Sequence, residues 1–218
     1  MEKVYWKDRW VTERIGFHQS VYNEYLLQYW PQVGAADDAK VFVPLCGKTL
    51  DLHWLRQQGC SVLGNEVVEK AVDDFFQEAD MNPSREEQGS LTSFSADGIC
   101  ILSGDFFSLT PEHLEGVTAW FDRAAQVALP PEMRERYYAH LRSILPVGSV
   151  GLSLAFEYPQ EEMPGPPFSV EEAEIREHYS NGFRIELLEH RDRLAFEPNL
   201  KEKGLSRASE AIYLMERI

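Results

Sequence analysis

The stretch Val41-Phe42-Val43-Pro44-Leu45-Cys46-Gly47-Lys48-Thr49-Leu50-Asp51, with Glu66 nineteen residues past Gly47, decides the fold. An apolar run ends in a glycine turn and a helix start follows. Ser61-Val62-Leu63-Gly64-Asn65-Glu66 is then a second apolar strand closed by a carboxylate. The spacing predicts a βαβ unit with a cofactor-sized crevice beyond the strand tips. A glycine there lets a ligand approach the backbone closely. An acid at the tip of the second strand can accept hydrogen bonds from both hydroxyls of a ribose.

The glycine count narrows the ligand. Dinucleotide sites carry G-x-G-x-x-G because a pyrophosphate sits against bare amides at a helix N-terminus, and this turn has Gly47 alone. Gly47-Lys48-Thr49 also echoes the end of a Walker A loop. Phe42, however, stands where the first glycine of that motif belongs, and Pro44-Leu45 interrupt the run of free amides that cradles phosphate. A nucleoside ligand without phosphates needs no such cradle, and S-adenosylmethionine is the common one. The alternative is an ordinary βαβ unit with no ligand.

Composition bounds the rest. The 218 residues suffice for one well-buried α/β domain. A hydrophobic content of 44%, with 12% aromatic residues, excludes a disordered polymer. The net charge of −15 sets every phosphate contact against the mean field, so no nucleic-acid partner is expected. Cys46, Cys60 and Cys100 lack C-x-x-C spacing and each lies in or beside an apolar segment, the pattern of buried thiols. Glu2, Lys3, Lys7, Asp8 and Arg9 leave no apolar core for a signal peptide. No apolar run approaches the ~20 residues of a membrane span. A cytoplasmic protein with a small-molecule partner is expected, and a monomer, since no exposed apolar strip stands out.

Along the chain, Trp6, Trp10, Tyr22, Tyr25, Tyr29 and Trp30 fall near helical spacing, broken at Ile15-Gly16-Phe17-His18. They predict two short helices forming a cap over residues 1–38, with Pro31 and 34–38 as the linker into a core over 39–218, all one domain. A helix is expected over 67–79. Strands over 91–96 and 99–103 are joined by Asp97-Gly98, a hairpin signal. A strand follows over 117–121, a helix from Pro130-Pro131 to Leu145 and a strand over 150–156. Residues 158–168, with four prolines, read as a rigid loop. Ser169 and Glu172 read as the capping box of a helix to Tyr179, before strands over 183–190 and 211–216. Strands alternating with helices and then two consecutive strands predict an α/β fold, mostly parallel, with an antiparallel strand near one edge. The ligand then lies beyond the strand tips, at Leu45-Cys46-Gly47, Glu66, Gly104-Asp105-Phe106, Asp122-Arg123 and Glu157-Tyr158.

Val43-Pro44-Leu45-Cys46-Gly47-Lys48, Gly104-Asp105-Phe106-Phe107, Asp122-Arg123-Ala124-Ala125 and Ala128-Leu129-Pro130-Pro131-Glu132-Met133-Arg134 resemble the bacterial thiopurine S-methyltransferase family. Trp6-x3-Trp10 with Ile15-Gly16-Phe17-His18, and Gly165-Pro166-Pro167-Phe168, extend the resemblance over nearly the whole chain. It implies a Rossmann-like class I methyltransferase fold, with a seven-stranded mostly parallel sheet, helices on both faces and an N-terminal helical cap. It also implies S-adenosylmethionine-dependent methylation of the sulfur of aromatic and heterocyclic thiols. Bacterial relatives are linked to selenium and tellurium (selenite and tellurite) detoxification, so an oxyanion of either element is a rival acceptor; a non-catalytic cofactor-binding protein is the rival from another class. The resemblance places the cofactor against Trp10, Leu45, Gly47, Glu66 and Arg123, with Asp105 and Phe106 near the adenine. Asn65 stands where relatives more often have an apolar residue, and 193–204 follow the family pattern more loosely.

Methyl transfer from a sulfonium to a thiolate needs chiefly alignment and exclusion of water, worth ~7–11 kcal/mol through proximity. No metal constellation or catalytic triad is expected. Trp10 and Phe17 read as a cover over the substrate pocket, with core packing as their alternative. Arg123 would favour a thiolate over a thiol, unless an ion pair with Asp122 or another acid claims it. Asp105 reads as an adenine acceptor or a turn cap, His18 as structural, and Lys48 with Asp51 as a helix-start pair.

Overall fold

The computed structural model describes residues 3–218; the first two residues of the expected cap, with the charge of Glu2, lie outside the described residues. Two helices, α1 (Lys3–Val11) and α2 (Glu24–Val33), precede β1 (Lys40–Val43), α3 (Asp51–Gln57), β2 (Ser61–Glu66) and α4 (Glu69–Glu78). Strands β3 (Ser84–Gln88), β4 (Leu91–Ala96), β5 (Ile99–Ser103) and β6 (Val117–Asp122) follow, then α5 (Pro131–Ile144) and β7 (Val150–Glu157). The chain ends through α6 (Glu172–Tyr179), β8 (Phe183–Asp192), α7 (Pro198–Glu202) and β9 (Ser209–Arg217).

All nine described strands join one sheet in the order β3-β4-β5-β2-β1-β6-β7-β9-β8. The centre, β5-β2-β1-β6-β7, is parallel. Strand β9 runs antiparallel between β7 and β8, as the two consecutive C-terminal strands imply. The expected count of seven is corrected to nine by the antiparallel β3 and β4 at the other edge. The β3–β4 half of that meander escapes a hydrophobicity reading because β3, Ser-Arg-Glu-Glu-Gln, is exposed at every position. Its backbone pairing to β4 makes it a strand, and its charges blunt the edge.

Side chains of the central strands alternate between two helix layers, which is why these strands are apolar at nearly every position. Phe42, Leu63 and Trp120 pack with Tyr137, Tyr138 and Tyr179 of α5 and α6. Val41, Val43 and Phe121 pack on the opposite face with α2, α3 and α4. Thus α2, the second helix of the cap, also forms part of a layer against β7 and β9. Its N-cap Asn23 accepts from the amides of Tyr25 and Leu26. The helix runs through Pro31, expected in the linker, and stops at Gly34 in the left-handed region. The capping box at Ser169 is also corrected: α6 begins at Glu172, and the Ser169 hydroxyl instead accepts from the amide of Tyr158, bracing the proline loop.

One buried ion pair joins α5 to α6. Arg134, 2% exposed, donates to both oxygens of Glu174 at 2.6 and 2.7 Å and to the Leu129 carbonyl at 3.0 Å. Tyr138 donates to the same carboxylate at 3.0 Å. Removing one partner of such a pair leaves a desolvated charge. Glu174→Ala is expected to lower unfolding free energy by about 3 kcal/mol, measured by urea denaturation, and a change below about 1 kcal/mol would rule out the pair as a structural strut.

Candidate active site

The carboxyl ends of β1, β2, β6 and β7 open into one cavity of about 500 Å³. Its floor is the turn after β1. Leu45 lies in the left-handed region at φ 47°, and so does Gly47 at φ 54°. The non-glycine conformation at Leu45 stores strain that the surrounding contacts hold in place. The Cys46 amide donates to the Asn65 carbonyl at 2.9 Å, laying the turn across the tip of β2. Gly64 permits this closeness, since a Cβ there would come within 2.8 Å of the Cys46 sulfur. Burial pushes the Cys46 thiol well above its ordinary range, aided by the neighbouring Glu66, so it is no nucleophile.

Glu66 is 6% exposed and reaches back under the turn. One carboxylate oxygen accepts from the Gly47 amide at 2.9 Å, the other from the Val68 amide at 2.8 Å. Burial pushes its carboxyl up to about 7, against the pull of the Val68, Gly47 and Val67 amides. Asn65, next to it, turns away: its side-chain amide donates to the carbonyls of Leu102 and Gly104, tying β2 to the tip of β5.

The roof comes from the N-terminal segment. Trp10 and Phe17 meet edge to face at 5.6 Å, and Trp6 meets Phe17 at 5.7 Å. Trp10 packs on Val68 and Ala71, so the start of α4 carries the roof. A Cβ on Gly47 would lie 3.1 Å from the Trp10 ring, which makes this glycine a requirement of the roof as well as of the turn.

Beyond β6 the two neighbours part, as strand alternation demands. Asp122 is fully buried on the far side and accepts from the Tyr137 hydroxyl at 2.7 Å. Arg123 turns into the cavity, followed by Ala124 at φ 68°. Arg123 forms no ion pair among the described residues and donates to the Phe17 carbonyl at 3.3 Å, joining sheet to roof. Burial pulls its guanidinium below its ordinary value, opposed by Asp51 and Glu210. His18 is likewise lowered, by burial and by facing Lys48 and Arg123, against Glu78 and Asp51; it is neutral at pH 7. Asp51 accepts from the Asn23 amide and the Thr49 hydroxyl, both at 2.8 Å. Lys48 pairs with Glu78 rather than Asp51.

Of the residues expected to form the site, Trp10, Phe17, Leu45, Gly47, Glu66 and Arg123 line this one cavity. Asp105 and Phe106 are not among its lining residues: the Asp105 carboxylate caps a short turn through the Phe107 amide at 2.9 Å, and Phe106 is buried against Tyr137. A far wall comes from the proline loop and from the stretch that follows the family pattern more loosely. Asn199, Leu200 and Lys203, in and just beyond α7, line the cavity with Met163 and Pro167. Leu200 packs on Tyr158, whose hydroxyl donates to the Pro167 carbonyl at 2.6 Å. Arg193 pins this wall through ion pairs with Glu197, Glu24 and Glu210. The signal lies only in polar spacing over 193–203, which a solvated turn would share. Among the described residues no group of His, Cys, Asp or Glu could hold a metal.

Comparison with known proteins agrees with this geometry. The family model for thiopurine S-methyltransferase matches residues 1–218. A thiopurine S-methyltransferase of Pseudomonas paraeruginosa is 48% identical over 217 residues, 100% of each chain. Its namesake from Nitrosospira multiformis is 46% identical over 215 residues, covering 99% of this chain and 98% of its own. Among solved structures, the 1,6-didemethyltoxoflavin-N1-methyltransferase of Burkholderia thailandensis, with S-adenosylhomocysteine bound, superposes with a TM-score of 0.65. It is 12% identical, over 99% of this chain and 87% of its own. A TehB-like S-adenosylmethionine-dependent methyltransferase from Corynebacterium glutamicum gives 0.54 at 15% identity, over 97% and 96%. These distant likenesses concern the fold: the sheet order is that of class I methyltransferases, widened at one edge by the antiparallel β3 and β4. With a family match over its full length and near-half identity to its relatives, the chain belongs to the thiopurine S-methyltransferase family.

Proposed function

We propose that the protein transfers a methyl group from S-adenosylmethionine to the sulfur of an aromatic or heterocyclic thiol. The observation that carries this reading is the Glu66–Gly47 turn roofed by Trp10 and Phe17: a buried carboxylate that holds the glycine amide, with aromatic cover and no phosphate cradle. That donor set fits an adenosyl ligand. Glu66 would accept from the ribose hydroxyls, Leu45 and Gly47 would let the nucleoside lie against the backbone, and Trp10 would cover it. Asp105 and Phe106 do not line the cavity and are assigned no adenine contact. When bound, the cofactor supplies an electrophilic methyl on a sulfonium.

The chain's own residues then align and dry the reaction. Trp6, Trp10 and Phe17 exclude water. Arg123, poorly neutralised where it stands, favours the thiolate form of the acceptor. Neutral His18 can take up the thiol proton where the acceptor arrives protonated. A cytoplasmic setting is supported by three free thiols, two of them buried. A monomer is supported by charged strands at both sheet edges, β3 and β8. No described helix is long and apolar enough to cross a membrane.

Incubation with methyl-labelled S-adenosylmethionine and 6-mercaptopurine is expected to yield labelled thioether, with selenite and tellurite offered in parallel reactions. Label in the inorganic products alone would overturn the thiol reading in favour of oxyanion methylation. Glu66→Ala is expected to weaken cofactor binding by about tenfold or more, and equal affinity would sink the ribose assignment. Since only ionised Glu66 accepts from both hydroxyls and its carboxyl titrates near 7, cofactor affinity should fall as pH drops from 8 to 6, by up to about tenfold per unit below 7. Calorimetry should find this slope abolished in Glu66→Gln. Gly47→Val forces a β-branched residue to positive φ and drives its methyls into Trp10; quenching of Trp fluorescence by cofactor should be lost while the urea midpoint shifts only modestly.

A further inference from the structure

A second cavity, of about 580 Å³, lies beside the site between residues 20–22, α3 and the end of α4. Val21, Leu50, Phe75 and Ala79 make this groove largely apolar, and His53 stacks on Phe75 at 4.5 Å. Lys48 lines both spaces, and no other described residue does. Its side chain is 10% exposed, and its ammonium lies 2.5 Å from the carboxylate of Glu78, on the groove side.

That ion pair gives the floor turn a second anchor. Through Glu66 the Gly47 amide is joined to the Val68 amide at the start of α4. Glu78 is the last residue of the same helix, roughly 15 Å further on at about 1.5 Å per residue. Two consecutive residues, Gly47 and Lys48, are thereby tied to opposite ends of α4, the helix whose start carries Trp10. The last turn of α4 contains no basic residue of its own. Lys48 supplies the cation that the carbonyl end of a helix favours and offsets an acid standing at the wrong end of the dipole.

The same pair faces the roof. His18 shares the site cavity with Lys48. The charged groups around its ring are Lys48 of the turn, Glu78 of α4, Arg123 beyond β6 and Asp51 of α3. Burial, then Lys48 and Arg123, keep that ring neutral against the two carboxylates.

We propose that Lys48 is a positioning residue for methyl transfer: paired with Glu78, it fixes the cofactor turn against α4 and partitions the site from the apolar groove. It acts through Gly47 and touches no reacting atom. The role rests on the assignment of the Glu66–Gly47 turn to the cofactor, and it is the same whichever acceptor is methylated. Since Glu78 is 57% exposed, salt screens the pair.

Calorimetry with S-adenosylhomocysteine tests the clamp. Lys48→Met and Glu78→Gln are each expected to weaken binding about threefold to fivefold, the upper range for a pair with one exposed member. The double variant should bind no more weakly than either single one, because both remove the same contact. His18 supplies a readout that mere loosening would not give. Its ring titration by NMR, assigned by loss of the signal in His18→Gln, should move up in Lys48→Met and down in Glu78→Gln. A loosened turn would admit water and move both up. Unchanged affinity in the two single variants, or His18 midpoints that do not part in these directions, overturns the role. Glu66→Ala separates the two assignments. If it binds as tightly as the wild type, the turn is not the cofactor floor and the role of Lys48 falls with it. If it alone weakens binding, only the role of Lys48 is overturned. Should Lys48→Met fail to fold, Glu78→Gln decides: weaker binding with a lowered His18 midpoint upholds the clamp, and any other result overturns it.

Discussion

The rest of the site depends on one carboxylate holding two backbones together. Glu66, at the tip of β2, accepts from the amide of Gly47 after β1 and from that of Val68 ahead of α4. Without that bridge the turn after β1 would have little reason to adopt two left-handed positions on either side of Cys46. The bridge also fixes where α4 begins, and α4 carries Trp10. The floor and roof of the cavity are therefore set by the same side chain. Its burial keeps the carboxyl near neutrality in titration, so a group that organises the backbone remains able to respond to a ligand.

Around this bridge the polar interior sorts into struts and free charges. Asp122 with Tyr137 and Arg134 with Glu174 lie behind the sheet and brace α5 and α6. Arg193 joins α2, β9 and the entry to α7, bringing a late segment of the chain up to the cavity. Each of these groups finds a hydrogen-bond or ion-pair partner within the protein. Arg123 differs: it meets only a carbonyl of the roof, and burial outweighs the carboxylates that favour its charge.

Much of this is legible in the amino-acid order. The βαβ spacing and the strand-tip residues single out Leu45, Gly47, Glu66 and Arg123, the family resemblance adds Trp10 and Phe17, and these six of the eight expected site residues line one cavity. The misreadings have identifiable causes. Pro31 reads as part of a linker because proline usually ends helices, yet it sits close to the C-terminus of α2, which ends at Gly34. Ser169 has the spacing of a capping box, but its hydroxyl is claimed by the Tyr158 amide eleven residues earlier. Strand β3 has no apolar pattern, and only pairing with β4 reveals it. For Ser169 and β3 a contact outside the local window overrides the local signal.

By itself, then, the sequence determined the order of elements, the glycine turn and the acid at the tip of β2. These follow from hydrophobic period, turn chemistry and spacing, all local properties of the chain. The tertiary structure alone decided which of Asp122 and Arg123 faces the cavity. It alone brought residues 193–203 opposite the aromatic roof, and it alone settled which charges find partners. Pairing and burial depend on residues far apart in the chain, and no local pattern records the desolvation that gives those charges their effect.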